Sequence, residues 1–450
     1  MMKKIAAVWL ILCAMGAASN AQSIRAGVGR RVITPEMPYW LTGYGGRTKP
    51  AVEKMHDLWA KALVIETHPG KKIALVTTDV LGLTPEIHAD LVRILGEQYG
   101  FKRSELVFNA SHTHAGPMIW PSLEMIGDYD TTVLLQFRRY KTFLVSQIVA
   151  AVRMALDNMF TAQLSTAHGR ATFAMNRRQP VNGKIINGKN PSGSSDHDVP
   201  VLTVRNREGT TKAILFGYAC HNTTMGGNNY VISGDYAGFA QIDLEQAYPG
   251  ATALFFTGCA GDQNPQPRGT VELAATHGKE LSDAVKAAMQ QKQQPVSGQV
   301  KSALDTVALS FVPFDVQKYD SALVKGTVYE QRRARLMIQA YNRGWELTRY
   351  NYPVQVLRFG RDLTFVSLAG EVVVDYALKL KARYPGQNLF IAGYCNHVMG
   401  YIPTRKVLEE GGYEANENLI YYGMPGPFRE DVEEKIFYTL QRIFTRLGIK

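Results

Sequence analysis

Hydrophobic positions along the 450-residue chain follow two alternating patterns. Short apolar runs rich in β-branched residues predict strands, and longer stretches with an apolar residue at every third or fourth position predict helices. The runs that predict strands are 73–78, 106–109, 201–204, 213–218, 253–257, 354–359, 363–367 and 389–392. The stretches that predict helices are 85–98, 134–156, 237–247, 271–289, 326–342, 373–382 and 432–447. Such alternation is typical of an α/β fold, in which helices flank central β-sheets.

A segment rich in Gly, Asn and Ser at 179–198 interrupts this pattern. It is long for a loop of a compact domain, and loops of that length often border a functional site. No internal repeat or change of composition marks a domain boundary. We therefore expect residues 22–450 to form one large domain.

The first 21 residues have the composition of a secretory signal peptide. Lys3 and Lys4 precede an apolar stretch at 5–18, and Ser19 and Ala21 supply the small residues of a cleavage site. The apolar stretch is shorter than the roughly 20 residues that a membrane-spanning helix needs. We expect cleavage after Ala21 and a mature protein that is secreted or periplasmic.

Composition and charge exclude several classes of protein. With 46% hydrophobic and 20% charged residues, the chain is globular and neither disordered nor a coiled coil. The formal net charge is +11, but the basic residues are spread along the chain. Nucleic acid is therefore not an expected partner, whereas peripheral contact with an anionic membrane surface is compatible with this charge.

Three cysteines follow the expected cleavage site, namely Cys220, Cys259 and Cys395. So small and odd a number excludes a disulfide scaffold, and at least one thiol has to be free. The ordinary role of such cysteines is that of small buried hydrophobic residues. All three lie close in sequence to the candidate functional residues described next.

The sequence NASHTHAGP at 109–117 places His112 and His114 just after a predicted strand. Residues two apart on an extended chain point to the same side, so both rings could bind one metal ion. Alternatively, one ring could bind the ion while the other transfers protons. Hydrogen-bonded loop histidines would have the same sequence, so the pair alone does not decide its role.

Two further residues stand at the ends of predicted strands. His221 follows the strand at 213–218, and Glu371 follows a strand that ends in glycine, where a helix is expected to begin. Strand ends are where sites assemble in open α/β sheets. Either residue could be structural, since a carboxylate is also favoured at a helix N-terminus. Two histidines and a carboxylate nevertheless form a common ligand set of catalytic zinc.

Together these segments resemble the neutral/alkaline non-lysosomal ceramidase family. The resemblance rests on residues 109–117, on CHNTTMG at 220–226 with SGDYAG at 233–238, and on GYIPT at 400–404. It extends over roughly residues 26–414. It implies a single catalytic domain with two central β-sheets flanked by helices. Only 37 residues follow Tyr413, so the family's C-terminal β-sandwich is not expected.

The resemblance implies a zinc site. In that family two histidines, a glutamate and a tyrosine hold one zinc ion, with a water in an open position. The matching residues here are His112, His221, Glu371 and Tyr401. A divalent cation strongly favours the phenolate form of tyrosine, although Tyr401 by itself would be taken for a core aromatic residue.

The resemblance also implies catalytic roles for three other residues. His114 matches the base that manages the proton of the water, and Arg177 and Tyr413 match groups around the scissile amide. Zinc can lower the pKa of a bound water to about 7 and so supplies hydroxide at neutral pH. Arg177 and Tyr413 are donors suited to charge developing on the carbonyl oxygen or to protonating the leaving amine.

One position departs from the pattern of the family. The family has a serine, sometimes described as the nucleophile, in a Gly-Asp-x-Ser-Pro-like turn after a strand. This chain reads GCAGDQNP at 258–265, so Asn264 stands in place of the serine. A carboxamide cannot act as that nucleophile, but it can hydrogen-bond a substrate. Asn before Pro is also common in turns that contact no substrate.

The expected function is that of an exported zinc-dependent hydrolase. It would cleave the amide bond of ceramide or a related N-acyl lipid by attack of a zinc-bound water. One alternative is a zinc hydrolase of another acyl substrate, such as an ester, an N-acyl sugar or a peptide. A second alternative, from a different class, is a catalytically silent lipid- or glycan-binding protein of the same fold.

Overall fold

The computed structural model describes residues 24–450, so the predicted signal peptide lies outside the described residues. The strands are β1 Arg25–Val32, β2 Glu53–Lys54, β3 Trp59–His68, β4 Lys71–Thr78, β5 Leu106–Ala110, β6 Phe160–Arg170, β7 Ala174–Val181, β8 Lys184–Asn190, β9 Asp198–Asn206, β10 Thr211–Tyr218, β11 Val231–Ile232, β12 Thr252–Thr257, β13 Gln263–Pro265, β14 Gln294–Val296, β15 Val300–Ser310, β16 Arg349–Phe359, β17 Leu363–Leu368, β18 Glu371–Val372, β19 Leu389–Ala392 and β20 Tyr401–Ile402. The α-helices are α1 Pro85–Tyr99, α2 Thr131–Asp157, α3 Asp235–Ala247, α4 Val271–Gln290, α5 Val316–Lys325, α6 Val328–Asn342, α7 Asp375–Arg383, α8 Arg405–Glu410, α9 Leu419–Tyr422 and α10 Val432–Leu447.

Two β-sheets form the centre of the molecule, and the predicted α/β fold is confirmed. In the larger sheet the strands run in the order β12-β10-β9-β6-β1-β3-β4-β5, and β14 also pairs with β6. The smaller sheet has the order β15-β16-β17-β19. The parallel pairs within these sheets are β4–β5, β10–β12 and β17–β19. Each is joined through a helix, respectively α1, α3 and α7, because parallel strands need a long crossover.

The alternation of side chains along the strands divides the core into layers. Leu63 and Ile65 of β3 belong to the core between the two sheets, whereas Ala62 and Val64 pack with α1 and α2 on the opposite face. Helices α3 and α4 cover β9, β10 and β12, and helices α7 and α10 cover the outer face of the smaller sheet. The result is a helix–sheet–sheet–helix arrangement. None of the helices within residues 24–450 is long and apolar enough to cross a bilayer.

Local sequence explains where the helices begin and end. The Thr84 side chain accepts a hydrogen bond from the backbone N–H of Ile87, and Pro85 occupies the first turn of α1. The helix stops at Gly100, which has a φ of 70°. That left-handed conformation is the common C-terminal cap and favours glycine.

The segment at 179–198 is not the loop that its composition predicts. It contains the end of β7 and all of β8, which form an antiparallel hairpin. Asn182 and Gly183, with φ values of 50° and 75°, make its two-residue turn. Asn-Gly is the preferred pair for such a turn, so the sequence did contain a hairpin signal. Asn187 of this hairpin lines the candidate site, as expected for a segment that borders it.

The two edge strands of the larger sheet, β5 and β12, approach each other at their carboxyl ends. Asn109 of β5 accepts a hydrogen bond of 2.9 Å from the backbone N–H of Thr257. The Asn109 amide donates to the carbonyl of Thr257 at 3.3 Å and to that of Gly393, which follows β19, at 2.7 Å. Strand ends from both sheets therefore converge, and the candidate site is built there.

Candidate active site

The carboxyl ends of β5 and β10 position three histidines. His112 and His114 follow β5, and His221 follows β10. The backbone N–H of His114 donates to the carbonyl of Asn222 at 3.1 Å, which ties the two strand-end segments together. Suitable atoms of the three rings lie within 4.8 Å of one another, so the group could hold a metal ion.

His112 does not lie on extended chain, as the spacing of the histidine pair suggested. Strand β5 ends at Ala110, and His112 has a φ of 59°, in the left-handed region. Its backbone N–H donates to the carbonyl of Val80 at 3.0 Å. The rings of His112 and His114 still meet, with 3.2 Å between their Nε2 atoms. A turn of the backbone, and not the two-residue period of a strand, brings them together.

Glu371 and Tyr401 lie opposite each other in the short parallel pair of β18 and β20. The expectation that Glu371 begins a helix is wrong, because α7 begins at Asp375. Gly370 allows the close approach of the two strands: its φ is 75°, and a Cβ atom there would lie 2.8 Å from the Gly400 carbonyl oxygen.

The Glu371 carboxylate lies at the centre of the four residues that the resemblance assigns to zinc. Its Oε2 atom is 3.2 Å from Nε2 of His112 and 3.0 Å from Nε2 of His221. The Tyr401 hydroxyl is 3.4 Å from the same His221 nitrogen. The hydroxyl of Tyr422 donates a hydrogen bond to the other carboxylate oxygen. The structure thus brings together His112, His221, Glu371 and Tyr401.

The hydrogen bonds of His112 and His221 indicate which ring nitrogen is protonated. Nδ1 of His112 is 2.6 Å from the carbonyl oxygen of Leu81, and Nδ1 of His221 is 2.7 Å from that of Ala260. Because a carbonyl can only accept, each Nδ1 carries the proton, and each Nε2 presents a lone pair to the Glu371 carboxylate. The two Nε2 lone pairs and the carboxylate oxygen repel one another unless a positive charge lies between them. This donor set therefore fits a divalent cation.

The electrostatics of the site agree with that fit. Burial lowers the pKa of His221 to about 4, and the positive charge of Arg177 acts in the same direction. Burial would raise the pKa of Glu371, but positive charge beside it, at the positions of His112 and His221, outweighs the burial and holds the pKa well below its usual value. A neutral imidazole and an ionised carboxylate are the forms that bind a cation.

His114 differs from the other two histidines in its surroundings. Its Nδ1 atom is buried and makes no hydrogen bond within the described chain. Burial lowers the pKa of its imidazole well below the usual value, with the neighbouring histidines adding to the effect. Gly43 packs directly against the ring, since a Cβ atom there would lie 2.4 Å from Nδ1. On its Nδ1 side the ring is therefore held by packing and not by a hydrogen bond.

Arg177, on β7, links the site to the segment after α8. Its Nη2 donates to the Tyr401 hydroxyl at 2.9 Å, and its Nε donates to Glu414 at 2.7 Å. The guanidinium lies 5.4 Å from the ring centroids of both Tyr401 and Tyr413. Burial would raise the pKa of Glu414, but Arg177 and Arg178 outweigh it and lower the pKa. An ionised Glu414 therefore orients Arg177.

Asn264 lies on β13, which pairs with β7 opposite Met175. The alternative interpretation of Asn264 and Pro265 as a turn is thus wrong. The Asn264 carboxamide oxygen accepts from the Thr223 hydroxyl at 3.4 Å, whereas its Nδ2 is buried and unpaired within the described chain. Asn264 lines the cavity, and its Nδ2 can donate a hydrogen bond to a molecule bound there.

A cavity of about 270 Å³ joins these side chains. The sequence-derived residues that line it are His112, His114, Arg177, Asn264, Glu371, Tyr401 and Tyr413. His221 does not line it; the side chain is fully buried behind Glu371. Sequence reasoning missed other lining residues, namely Tyr44, Arg268, Tyr421 and Tyr422. No local sequence pattern marks these residues, because tyrosine and arginine also occur on surfaces that have no functional site.

The three cysteines are free and buried, which confirms their interpretation as small buried residues. Cys395 lies near the site, where its sulfur accepts from the Asn109 amide at 3.4 Å. Burial raises the pKa of the Cys395 thiol to about 11. A thiol with so high a pKa is a poor nucleophile at neutral pH.

These features define an α/β protein with a buried histidine–carboxylate site at converging strand ends. The family described as neutral/alkaline non-lysosomal ceramidase, N-terminal, matches residues 25–271. The chain belongs to this ceramidase family, so the resemblance seen in the sequence is confirmed, and with it the prediction of a ceramidase-like enzyme.

Several curated relatives carry ceramidase names. The neutral ceramidase of Mycobacterium tuberculosis is 24% identical over 84% of this chain and 71% of its own length. That of Pseudomonas aeruginosa is 25% identical over 57% of this chain and 39% of its own length. Neutral ceramidase B of Dictyostelium discoideum is matched over only 31% of its length. The sequence match thus covers less than half of the latter two relatives.

Solved structures show the same fold. The crystal structure of neutral ceramidase from Pseudomonas aeruginosa aligns with a TM-score of 0.72 at 20% identity, over 95% of this chain and 74% of that one. A ceramidase described as complexed with C2 aligns with a TM-score of 0.71 at 19% identity, over 93% of this chain and 76% of that one.

Proposed function

We propose that this protein is a zinc-dependent hydrolase that cleaves the amide bond of ceramide or a related N-acyl lipid. The observation that carries the proposal is the buried donor set around Glu371, beside a cavity where the Asn264 amide has no partner among residues 24–450. Family membership supports the ceramide-type substrate, since the matching family and relatives are named ceramidases.

His112, His221, Glu371 and Tyr401 would hold the zinc ion. Zinc bound there would lower the pKa of a water, so that hydroxide is available at neutral pH. His112 and His221 both have the outer hydrogen bond to a carbonyl that metal-binding histidines typically make. His114 lacks that hydrogen bond, which supports its assignment as a proton carrier and not as a ligand.

The other residues of the cavity would bind and polarise the amide. Arg177 and Tyr413 can donate to the carbonyl oxygen as negative charge develops there, and the unpaired Asn264 amide can donate as well. His114 would take a proton from the attacking water and deliver it to the departing amine. Glu414 holds Arg177 in place through its 2.7 Å ion pair.

The test is a substrate panel with purified, zinc-loaded protein. N-acyl sphingoid amides, matched esters and N-acyl sugars would be incubated with the protein before and after chelation, and products would be measured by mass spectrometry. We expect amide cleavage that chelation abolishes and zinc restores. Faster cleavage of the esters or sugars would assign another acyl substrate, and zinc binding without any turnover would indicate a silent binding protein.

We also propose that the protein is exported and acts at a membrane surface. The signal-like sequence at 1–21 supports export. At the turn between α5 and α6, Val324 is 80% exposed and Val328 is 51% exposed, with Lys325 between them. The next residue, Tyr329, donates to the carbonyl of Gly45 at the cavity wall, so this turn lies near the cavity.

Vesicle flotation would test the membrane contact. We expect binding to vesicles that contain phosphatidylglycerol and weaker binding to pure phosphatidylcholine, because basic residues outnumber acidic ones in the chain. Val324→Asp should weaken the binding, whereas the exposed control Val52→Asp should not. Equal binding by all the proteins would contradict this contact. Sequencing the N-terminus of the secreted protein would test cleavage after Ala21.

A further inference from the structure

An apolar groove of about 350 Å³ lies next to the catalytic cavity. Most of its lining residues are apolar, and they include Phe311, Leu336, Met337, Leu347, Met399 and Met424. Glu124, Glu346 and Arg349 also line it. Leu123 and Tyr422 line both the groove and the cavity, so these two side chains form the boundary between them. Tyr422 also donates to Glu371, which places this boundary directly at the candidate zinc ligands.

The hairpin of α5 and α6 forms one wall of the groove. The hairpin has its own small hydrophobic core around Met337 and is fixed to the rest of the protein by polar contacts. Arg333 donates to the carbonyl of Met424 at 2.9 Å, and Arg332 donates to that of Met125 at 3.0 Å. Trp345, which is 51% exposed, lies at the groove.

The two compartments differ in polarity. Beyond the zinc ligands, the cavity wall presents Arg177, Arg268, Thr223 and Asn264, which suit a hydroxylated group. The groove offers an apolar surface, and an alkyl chain gains free energy when it leaves water for such a surface. An N-acyl amide has two halves that meet at the scissile carbonyl. The polar wall suits a hydroxylated amine half, and the groove suits the acyl chain.

We propose that this groove is the acyl-chain subsite, entered between Leu123 and Tyr422. This inference rests on the proposed amide hydrolase function and specifies how its substrate is oriented. With the acyl chain in the groove, the carbonyl lies beside Glu371 and the amine half faces Arg177. Leu336 and Met424 then determine which acyl lengths are accepted.

A chain-length series tests the orientation. One series of amides would vary the acyl chain from two to sixteen carbons on a constant amine half, and a second would vary the amine half at constant acyl length. Leu336→Trp should reduce kcat/KM for the sixteen-carbon acyl substrate by at least about tenfold, because each methylene kept out of an apolar site forfeits roughly fourfold. The two-carbon substrate should stay within about twofold of wild type. Gln339→Trp, an exposed position on the same helix, is the matched control.

Two outcomes of that series would overturn the assignment. Equal loss for all acyl lengths would mean that Leu336→Trp damages the site and that the groove holds no chain. Loss that follows the length of the amine half would put that half in the groove. If no amide is cleaved at all by zinc-loaded wild type, the proposed function fails, and the groove has to be judged by binding.

Trp345 supplies that independent binding measurement. A sixteen-carbon fatty acid brominated along its chain quenches tryptophan fluorescence on contact. We expect quenching in the wild type and in the control Trp59→Phe, and its loss in Trp345→Phe. Brominated acetate should not quench. Quenching that survives in Trp345→Phe, or none in the wild type, would overturn the subsite whether or not the protein hydrolyses amides.

Discussion

Asn109 and Thr257 join the two edges of the larger sheet by a pair of hydrogen bonds, with the Asn109 carboxamide as both acceptor and donor. The same carboxamide reaches Gly393 after the smaller sheet. One buried side chain thus holds together the strand ends that carry His112, Asn264 and the segment leading to Tyr401.

We expect Asn109→Ala to destabilise the fold strongly. The substitution leaves a buried N–H and two carbonyls without partners, and each such group costs about 1–3 kcal/mol. The loss in free energy of unfolding should therefore be about 3 kcal/mol or more, measured by denaturant titration. Asn187→Ala is the control, since that side chain is exposed on the β7–β8 hairpin. Equal stability of the two variants would show that Asn109 does not hold these edges.

Metal content should separate the histidines by role. We expect His221→Ala to lose zinc, because that ring is held by a carbonyl with its Nε2 beside Glu371. We expect His114→Ala to keep zinc and to lose on the order of 10²–10⁴ in turnover, the usual size of general acid–base catalysis. Elemental analysis and kinetics on the same preparations would decide. Loss of zinc from His114→Ala would make His114 a ligand.

Glycines in β1 explain one limit of prediction from sequence. Glycine disfavours strands, and β1 contains Gly27, Gly29 and three arginines among its eight residues. Its sequence therefore did not predict a strand. In the structure the two glycines let α2 lie against the strand, since Cβ atoms there would be 1.9 Å and 2.1 Å from carbonyl oxygens of α2. At such positions glycine is required by the close approach of a segment distant in sequence, and not by the local propensity of the strand. The strands that were predicted, by contrast, are continuous apolar runs, so their burial can be inferred from the local sequence.

The candidate site could be predicted in its residues but not in its geometry. His112 and His221 stand at strand ends that the apolar runs predict, so their convergence follows from the fold class. The pairing of Glu371 with Tyr401 does not, because two residues of β18 and two of β20 carry no detectable strand pattern. Family resemblance alone identified Tyr401. Glu414, which orients Arg177, had no signal beyond its place beside Tyr413.

The packing of β1 against α2 gives a third prediction. Gly27→Ala should lower the melting temperature markedly, because the new methyl group would displace the carbonyl of Ala155. Gly386→Ala is the matched control, since a Cβ atom there meets nothing within 4 Å. Thermal unfolding of both variants measures the difference. A melting temperature of Gly27→Ala within the error of the control would contradict this account of β1.

Two buried histidines outside the site predict sensitivity to acid. Burial lowers the pKa of His88 to about 3 and that of His397 to about 4, and their ring centroids are 5.6 Å apart. In the unfolded chain both have the ordinary pKa of about 6.5. Between these values the unfolded state binds more protons than the folded state. Stability is therefore full above about pH 6.5 and falls as the pH is lowered toward 4.

His397→Phe should reduce that sensitivity. Neither ring nitrogen of His397 has a hydrogen-bond partner within the described chain, so phenylalanine forfeits no such bond. Denaturant midpoints measured at pH 7 and pH 4.5 should differ less in this variant than in the wild type. Removal of His397 also relieves the lowering of the His88 pKa, which acts in the same direction, and the other titrating groups contribute equally to both proteins. An unchanged difference would mean that His397 is protonated at little cost in the folded state.

Asn264 lacks the hydroxyl that a nucleophile at this position would need. We expect no acyl-enzyme on this residue, so hydrolysis in ¹⁸O water should label the released fatty acid with no acylated protein preceding it. Rapid quenching and intact-protein mass spectrometry during turnover would detect such an adduct. An acyl adduct on any residue, formed and lost at a competent rate, would refute direct attack by water.

Asn264→Ala tests the separate question of what the carboxamide does. Its Nδ2 is buried, unpaired within the described chain and part of a residue that lines the cavity. If it donates to the carbonyl oxygen in the transition state, its removal should cost about 10²–10³ in kcat with zinc content unchanged. Thr223→Val should cost less in kcat, because Thr223 acts on this carboxamide through one long hydrogen bond of 3.4 Å. Equal kcat for wild type and Asn264→Ala would reduce Asn264 to a packing residue of β13.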